Sequence, residues 1–179
     1  MTDVRTIHDK QFHSYISEAE IQSVVERLAN DLEKEYQGKE LIFLSILNGS
    51  FMFTSDLMKS INSNVEVSFV KVSSYIGTST SGRVDELIGL NTNLKNKSVI
   101  ILEDIVDTGI TIDKVLTLLK SEQMDSIEIC TLLFKPDAFL GRKKPKYIGM
   151  EIPNKFVVGY GLDYNELGRN LKEIYQLID

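Results

Sequence analysis

The sequence has few of the residues that mark disulfide-rich or transition-metal proteins. It contains one cysteine, two histidines and no tryptophan among 179 residues. Cys130 lies inside the apolar run IEICTLLF, so it can form no intrachain disulfide, and we expect a reduced, buried thiol. Only His8 and His13 could join it as soft ligands, which argues against a zinc site. We interpret both histidines as ordinary surface or hydrogen-bonded residues.

Long apolar runs and positive charge are also scarce. The sequence has no stretch of about 18 uninterrupted apolar residues, which argues against a transmembrane helix. Its first residues, MTDVRTIHDKQFHSYIS, lack the apolar core of a secretion signal, so we expect a soluble cytoplasmic protein with no membrane partner. The net charge of −6 argues against nucleic acid as the main partner. We interpret the one basic cluster as a solvated turn; it comprises Arg142, Lys143, Lys144 and Lys146.

The apolar pattern predicts a single α/β domain over residues 1–179, since 42% hydrophobic residues can form one substantial core. Ser17 and Glu20 have capping-box spacing, which predicts a helix that begins there. We predict strands at 41–47, 65–72, 99–102, 127–134, 147–150 and 156–160, helices at 51–60, after 109 and from about 165, and a long mobile loop at 75–96 that could include a hairpin. This alternation favours a mostly parallel central sheet flanked by helices, with ligands at the carboxyl ends of its strands.

The most informative segment is VIILEDIVDTGIT, residues 99–111, where an apolar strand leads into acids and a turn that begins a helix. A helix N-terminus presents unpaired backbone N–H groups and the positive end of a dipole, which suits a phosphate. Glu103 and Asp104 at the strand end can accept hydrogen bonds from sugar hydroxyls or bind a cation. An aspartate cap on an exposed loop explains the same pattern, so the residues alone leave both interpretations open.

The segment VIILEDIVDTGIT resembles the phosphoribosyl-pyrophosphate signature of the type I phosphoribosyltransferases. Three more segments within residues 41–169 are similar to parts of this family: LNGSFMFTSDL to its pyrophosphate loop, Ser74-Tyr75 to the start of its flexible catalytic loop, and EIPNKFVVGYGLDYNE to the purine-binding segment of hypoxanthine-guanine members. The resemblance implies the family fold, with a small hood formed by the N- and C-terminal segments. It also implies a purine-salvage enzyme that uses Mg²⁺ to transfer 5-phosphoribosyl from phosphoribosyl pyrophosphate to hypoxanthine and guanine, giving IMP or GMP and pyrophosphate.

The resemblance implies a role for each residue of the base and phosphate sites. Asp107 is expected to be the catalytic carboxylate beside the purine N7, where it assists proton removal as a general base. Lys135 is expected to donate to the purine 6-oxygen, Phe156 to stack on the base, and Val157 to meet its edge through backbone groups. The residues expected to hold the 5-phosphate are Asp107, Thr108, Gly109, Ile110 and Thr111.

The same resemblance implies the sugar, metal and pyrophosphate contacts. Glu103 and Asp104 are expected to hold the ribose hydroxyls directly or through magnesium, with Asp163 as a further magnesium ligand. Arg169 is expected to bind pyrophosphate, since a guanidinium fork fits phosphate oxygens. The remaining expected substrate contacts lie in the pyrophosphate loop and the catalytic loop, at Leu47, Asn48, Gly49, Ser74 and Tyr75.

The chain departs from the family pattern at two positions. Asn48 stands where many relatives have lysine, and Ile110 stands where many have a basic or other residue. The family often has a cis peptide bond just before the residue at position 48. Two other functions remain open at this point: a regulator that binds RNA on the same fold, and a transferase for another base such as xanthine or a pyrimidine. We expect a homodimer or homotetramer.

Overall fold

The computed structural model describes residues 3–76 and 83–178, and of residues 73–76 and 83–87 it describes only the backbone. Within these residues, no helix is long and apolar enough to cross a membrane. The elements are β1 (Val4–Ile7), β2 (Lys10–Ile16), α1 (Glu18–Glu35), β3 (Leu41–Ile46), α2 (Phe51–Ser60), β4 (Glu66–Ile76), β5 (Arg83–Ile88), β6 (Ser98–Val106), α3 (Ile110–Leu118), β7 (Ser126–Phe134), β8 (Tyr147–Glu151), β9 (Val157–Val158) and β10 (Ile174–Leu177).

The larger sheet has six strands in the order β5-β4-β3-β6-β7-β8. Its neighbouring strands from β4 to β8 pair in parallel, which confirms the predicted α/β fold. Strand β5 pairs antiparallel with β4 from Lys71↔Ile88 to Ile76↔Arg83, so the predicted loop contains a hairpin that returns to the sheet. Residues 77–82 of that predicted loop lie outside the described residues.

Helices cover both faces of the larger sheet. Residues of α1 and α2 pack with one set of strand side chains, and residues of α3 pack with the other set. All six residues of β3 are buried, which explains why its sequence is almost uniformly apolar. Helix α1 begins with the predicted capping box, in which the Ser17 hydroxyl accepts from the Glu20 backbone N–H and the Glu20 carboxylate accepts from the Ser17 backbone N–H.

The smaller sheet joins the two ends of the chain and forms the expected hood. Its strand order is β1-β2-β10-β9, and all its pairs are antiparallel. The helix predicted from about residue 165 is wrong, because Asn165, Glu166 and Gly168 have φ of 47°, 69° and 99°, which an α-helix does not allow. The chain turns there and then forms β10. The strand predicted at 156–160 is limited to Val157–Val158 because positive φ begins at the following glycine.

Tyr160 connects the hood to the larger sheet. Its buried side chain reaches α2, where the hydroxyl donates to Asp56 Oδ2 at 2.7 Å. Gln22 Nε2 of α1 donates to the same oxygen at 2.9 Å. Gly161 follows directly, and a Cβ on it would lie 2.0 Å from the Gly49 carbonyl oxygen. The segment that bears the predicted purine contacts is therefore packed against the turn after β3.

Candidate active site

Three adjoining recesses lie at the carboxyl ends of the central strands β3 and β6. The base cleft, about 350 Å³, is lined by Asn48, Gly49, Asp104, Ile105, Asp107, Lys135, Phe156, Val157, Leu162, Asp163 and Arg169. The loop cleft, about 340 Å³, is lined by Ile46, Leu47, Asn48, Gly49, Lys71, Val72, Glu103, Asp104, Ile110, Thr111 and Lys114. The phosphate pocket, about 80 Å³, is lined by Glu103 and residues 105–112. The recesses share residues, so they form one continuous site.

An ion pair lies in the base cleft between two residues that follow neighbouring strands. Lys135 Nζ is 2.8 Å from Asp107 Oδ2, and the lysine is only 6% exposed. The Lys135 backbone N–H donates to the Val106 carbonyl at 3.0 Å, which places the two residues side by side. A buried ammonium needs an anionic or hydrogen-bonding partner. Asp107 supplies that partner in the described chain.

Aromatic side chains of the hood support the outer wall of the base cleft. Phe156 packs tilted on Phe12 at a ring-centroid distance of 6.3 Å and edge-on to Tyr164 at 5.9 Å. It nevertheless remains 44% exposed, so part of its ring is available to a ligand in the cleft. Val157 is buried next to it in β9, and its backbone pairs with Gln176 of β10. The wall is thus apolar, with a partly exposed ring at its entrance.

Arg169 is held at the base cleft by three oxygen partners. Its Nη2 lies 2.8 Å from Asp163 Oδ1 and 3.4 Å from Glu166 Oε2, and its Nη1 donates to the Gly161 carbonyl at 2.9 Å. Asp163 Oδ2 also accepts from the Glu166 backbone N–H at 2.7 Å. These contacts fix the guanidinium in position. Because Arg169 also lines the base cleft, an anionic ligand in the cleft can reach it.

The turn after β3 is tightly packed against β6. The Leu47–Asn48 peptide bond is cis, as the family resemblance suggested. The Leu47 backbone N–H donates to the Val70 carbonyl at 2.8 Å. A Cβ on Gly49 would lie 1.8 Å from Asp104 Oδ2, so only glycine fits at this position without displacing the aspartate. The turn and the acid pair therefore form one packed unit.

Two carboxylic acids at the end of β6 are buried side by side. Burial raises the pKa of Glu103 well above its usual value, and the neighbouring charge of Asp104 raises it further. Burial also raises the pKa of Asp104 to about 6, although the Ile105 backbone N–H, 2.9 Å from Oδ1, opposes the shift. Glu103 Oε2 is buried and has no hydrogen-bond partner among the described residues. Such an oxygen is costly unless a cation or a hydroxyl donor satisfies it.

The D-T-G turn opens helix α3 as predicted. Gly109 is the N-cap residue with φ 84°, and no side chain caps the helix start. A Cβ on Gly109 would lie 2.6 Å from the Phe139 ring, so the backbone also passes close to that side chain. The first backbone N–H groups of the nine-residue helix are therefore presented at the phosphate pocket, with Thr108 and Thr111 beside them. Ile110 is 60% exposed there.

The structure brings most of the predicted site residues together in the three recesses. Ser74 and Tyr75 lie near the carboxyl end of β4, but their side chains are outside the described residues, so their predicted roles remain predictions. Sequence reasoning missed Lys71 and Lys114, which line the loop cleft. The strand predicted at 65–72 was a usable signal, because Lys71 lies near its carboxyl end and ligands bind at that edge of a parallel sheet.

The basic cluster is largely neutralised by neighbouring acids. Its lysine and arginine side chains form ion pairs between Arg142 and Asp113, Lys143 and Glu128, Lys144 and Glu151, and Lys146 and Glu35. The acids come from several elements, including α1 and α3. A positive surface suited to a nucleic-acid backbone needs clustered charge that is not cancelled in this way.

Comparison with known proteins identifies the family. A family model described as phosphoribosyl transferase domain matches residues 16–165. A hypoxanthine-guanine phosphoribosyltransferase of Staphylococcus aureus (strain Mu50) is 44% identical over 169 residues, which cover 94% of both chains. A hypoxanthine phosphoribosyltransferase structure from Staphylococcus aureus has a TM-score of 0.84 at 44% identity, over 92% of this chain and 90% of that one. A hypoxanthine-guanine phosphoribosyltransferase structure from Bacillus anthracis has a TM-score of 0.84 at 31% identity, and the match covers 99% of this chain and 100% of that one.

The chain therefore belongs to the phosphoribosyl transferase family. This assignment agrees with the parallel sheet, the D-T-G turn at the start of α3 and the cleft between the larger sheet and the hood.

The raised pKa of Asp104 predicts that, in the presence of a chelator, the free energy of unfolding falls as the pH rises. Because the folded-state pKa of about 6 lies above the usual aspartate value of 3.8, the contribution of Asp104 to stability is fully present below about pH 4 and is lost as the pH rises through 6. Asp104→Asn should therefore be more stable than the wild type at pH 8, by about 1–3 kcal/mol, with the difference disappearing near pH 4. Urea unfolding of both proteins at pH 4 and pH 8 measures this difference in the free energy of unfolding. The matched control is Asp125→Asn, since Asp125 is exposed. A stability difference for Asp104→Asn that does not change with pH would contradict the raised pKa of Asp104.

Proposed function

We propose that this chain is a purine-salvage enzyme that transfers 5-phosphoribosyl from phosphoribosyl pyrophosphate to hypoxanthine, and to guanine, releasing pyrophosphate. The observation that carries this proposal is the pairing of Lys135 with Asp107 at 2.8 Å on one wall of the base cleft, beside the partly exposed ring of Phe156. The names of the similar enzymes from Staphylococcus and Bacillus support the same substrates. Products would be IMP or GMP.

The base cleft offers a donor and an acceptor on neighbouring residues, which supports binding of a 6-oxopurine. An ammonium has donors only, so Lys135 suits the acceptor oxygen at C6. Asp107 can accept from the neighbouring N7–H and so assist proton removal as the base becomes nucleophilic. Phe156 would stack on the ring, and Val157 would meet its edge through backbone groups. A base entering the cleft would thus exchange the ion pair for two hydrogen bonds.

The phosphate pocket and the acid pair suit the sugar phosphate of the second substrate. Residues 107–111 would hold the 5-phosphate through the uncapped N-terminus of α3 and the threonine hydroxyls. Glu103 and Asp104 would accept hydrogen bonds from the ribose hydroxyls, which would satisfy the unpartnered Glu103 Oε2. The turn at Leu47, Asn48 and Gly49 and the guanidinium of Arg169 would hold the pyrophosphate.

The acidic residues fit a magnesium ion that keeps most of its ligands from water and substrate. Among the described residues, no group of three histidine, cysteine, aspartate or glutamate side chains converges as a ready-made metal cage. Magnesium usually binds through one or two carboxylates together with substrate phosphates, so Glu103, Asp104 and Asp163 need not share one ion. The unpartnered Glu103 oxygen supports this fit. When bound, the metal would neutralise charge on the pyrophosphate.

The proposed reaction breaks the bond between the ribose anomeric carbon and pyrophosphate and forms a bond from that carbon to the purine nitrogen. Positive charge grows on the sugar, and negative charge grows on the leaving pyrophosphate. Arg169 would stabilise the leaving group, while Asp107 would accept the proton that the base loses from N7. Holding both substrates in adjoining recesses supplies orientation. We further propose that the segment around Ser74 and Tyr75 excludes water from the reacting carbon.

The alternative of an RNA-binding regulator on the same fold has little support. Its local evidence was the basic cluster, and the four basic side chains of that cluster have acidic partners. A salt-dependent RNA-binding assay separates the two functions, since a regulator would bind RNA with an affinity that falls steeply with salt. A cytoplasmic location and assembly as a homodimer or homotetramer remain predictions. Light scattering after gel filtration would measure the assembly.

The proposed function is tested by steady-state assays with each base in turn. With phosphoribosyl pyrophosphate and magnesium, hypoxanthine and guanine should give IMP and GMP, whereas adenine and uracil should be very poor substrates. Excess chelator should abolish synthesis, and added magnesium should restore it. Product formation is measured by ultraviolet absorbance and chromatography. If adenine or a pyrimidine is the best substrate, the proposed base specificity is wrong, and full activity in chelator removes the metal from the mechanism.

Lys135→Ala tests the residue assigned to the 6-position of the base. Loss of one charged hydrogen bond should lower kcat/KM for hypoxanthine by about 10- to 150-fold, which corresponds to about 1.5–3 kcal/mol. The ratio of hypoxanthine to adenine activity should fall as well, because the ammonium opposes the amino group of adenine. The matched control is Lys155→Ala in the exposed turn before Phe156. An unchanged ratio in Lys135→Ala would show that another group selects the base.

A further inference from the structure

The D-T-G turn at the phosphate pocket is supported from behind by a second loop. Residues 139–142, which we call the bracing loop, follow a 3₁₀ turn after β7. The Leu140 backbone N–H donates to the Thr108 carbonyl at 3.0 Å. A Cβ on Gly109 would lie 2.6 Å from the Phe139 ring, so these two residues are in tight contact. The bracing loop therefore packs directly on the turn that begins α3.

The hydrogen bond to Thr108 sets the direction of the next backbone N–H. In the trans peptide between Thr108 and Gly109, the C=O and the N–H point in opposite directions within one plane. Because the carbonyl points at the bracing loop, the Gly109 N–H points away from it. Residues 105–112 line the phosphate pocket, so the bracing loop contacts the turn from its other side. The Gly109 N–H is thus directed toward the pocket.

The bracing loop is tied to α3 by Asp113 and Arg142. The Arg142 backbone N–H lies 3.1 and 3.2 Å from the two carboxylate oxygens of Asp113. The Arg142 Nη2 donates back to the Asp113 carbonyl at 3.0 Å and to Thr117 Oγ1 at 2.8 Å. At the other end of the loop, the Phe139 ring packs edge-on to Phe134 of β7 at a centroid distance of 5.3 Å. The loop is therefore held at both ends, while its middle contacts the D-T-G turn.

Helix electrostatics alone do not explain the carboxylate of Asp113. It lies in the first turn of α3, the end at which the 5-phosphate is proposed to bind. Two anions at one helix end repel each other, so an acid here disfavours a phosphate. The guanidinium of Arg142 offsets that charge, since its Nε lies 3.4 Å from Asp113 Oδ2. The contact with the bracing loop accounts for an acid at this position.

We propose that Asp113 is a positioning residue for the 5-phosphate of the sugar substrate. Through the bracing loop, it holds the Thr108–Gly109 peptide with the N–H directed into the phosphate pocket. This inference rests on the proposed function, because it concerns how the phosphate of that substrate is held. A donor fixed in direction before the ligand arrives binds an anion more tightly, because less ordering is required on binding. The same contact gives Arg142, the first residue of the basic cluster, a structural role.

Steady-state assays with magnesium compare two variants of Asp113. Asp113→Ala keeps a residue suited to a helix and should raise the KM for phosphoribosyl pyrophosphate by about 5- to 20-fold, while the KM for hypoxanthine stays within about 2-fold. Asp113→Asn should stay within about 3-fold of the wild type, because its amide oxygen still accepts from the Arg142 backbone N–H. The matched control is Glu128→Ala, which removes the 2.9 Å partner of Lys143 in the same basic cluster and should change neither constant.

A titration followed by nuclear magnetic resonance separates this inference from the proposed function. The isotope-labelled chain is titrated with ribose 5-phosphate and, separately, with magnesium pyrophosphate. In Asp113→Ala, ribose 5-phosphate should bind about 5- to 20-fold more weakly and shift the Gly109 amide resonance less, while the affinity for magnesium pyrophosphate stays unchanged.

Three results would overturn the inference. They are an unchanged affinity of Asp113→Ala for ribose 5-phosphate, an equal loss of affinity for both ligands, which indicates general distortion, and a wild type that does not bind ribose 5-phosphate. If the wild type transfers phosphoribosyl to no base, the proposed function fails, while the ribose 5-phosphate titration still decides the role of Asp113.

Discussion

The site depends on the ion pair between Lys135 and Asp107. These residues directly follow the paired strand ends Val106 and Phe134, so the parallel register of β6 and β7 delivers them side by side. The lysine is almost fully buried, and the carboxylate 2.8 Å away compensates its charge. A ligand that separates this pair must present an acceptor to the buried ammonium, and a donor on an adjacent atom can bind the more exposed carboxylate. The 6-oxygen and N7–H of a 6-oxopurine satisfy both groups at once.

The hood completes the site by bringing residues from the end of the chain to that ion pair. Strand β10 lies between β2 and β9, so the N-terminal segment supports the strand that carries Val157. The hydrogen bond from Tyr160 to Asp56 and the contact of Gly161 with Gly49 then hold the hood against α2 and the turn after β3. The proposed base and pyrophosphate contacts are thereby positioned by one packed connection. This explains how residues more than one hundred positions apart in sequence line a single cleft.

Much of the fold could be predicted from sequence because its signals are local. The apolar run of β3, the capping box of α1 and the D-T-G turn before α3 each depend on a few neighbouring residues. The C-terminal helix was predicted wrongly because Asn165 and Glu166 have positive φ in an exposed turn that is closed by backbone hydrogen bonds between Tyr164 and Leu167, and neither residue type requires that conformation. The Lys135–Asp107 pair and the lysines of the loop cleft depend on sheet register, which a single sequence does not specify. Because register could not be read from the sequence, most of the site residues were predicted from the family motifs.

The most direct test of the central claim is a crystal structure of the chain with hypoxanthine and magnesium pyrophosphate bound. Two distances decide it, from Lys135 Nζ to the purine 6-oxygen and from an Asp107 carboxylate oxygen to the purine N7. We expect both to be hydrogen bonds of about 2.6–3.2 Å, with the base stacked on Phe156. The direct Lys135–Asp107 contact should be lengthened or shared with the base. A purine bound elsewhere, or one in this cleft that leaves the 2.8 Å ion pair intact and contacts neither residue, would contradict the account.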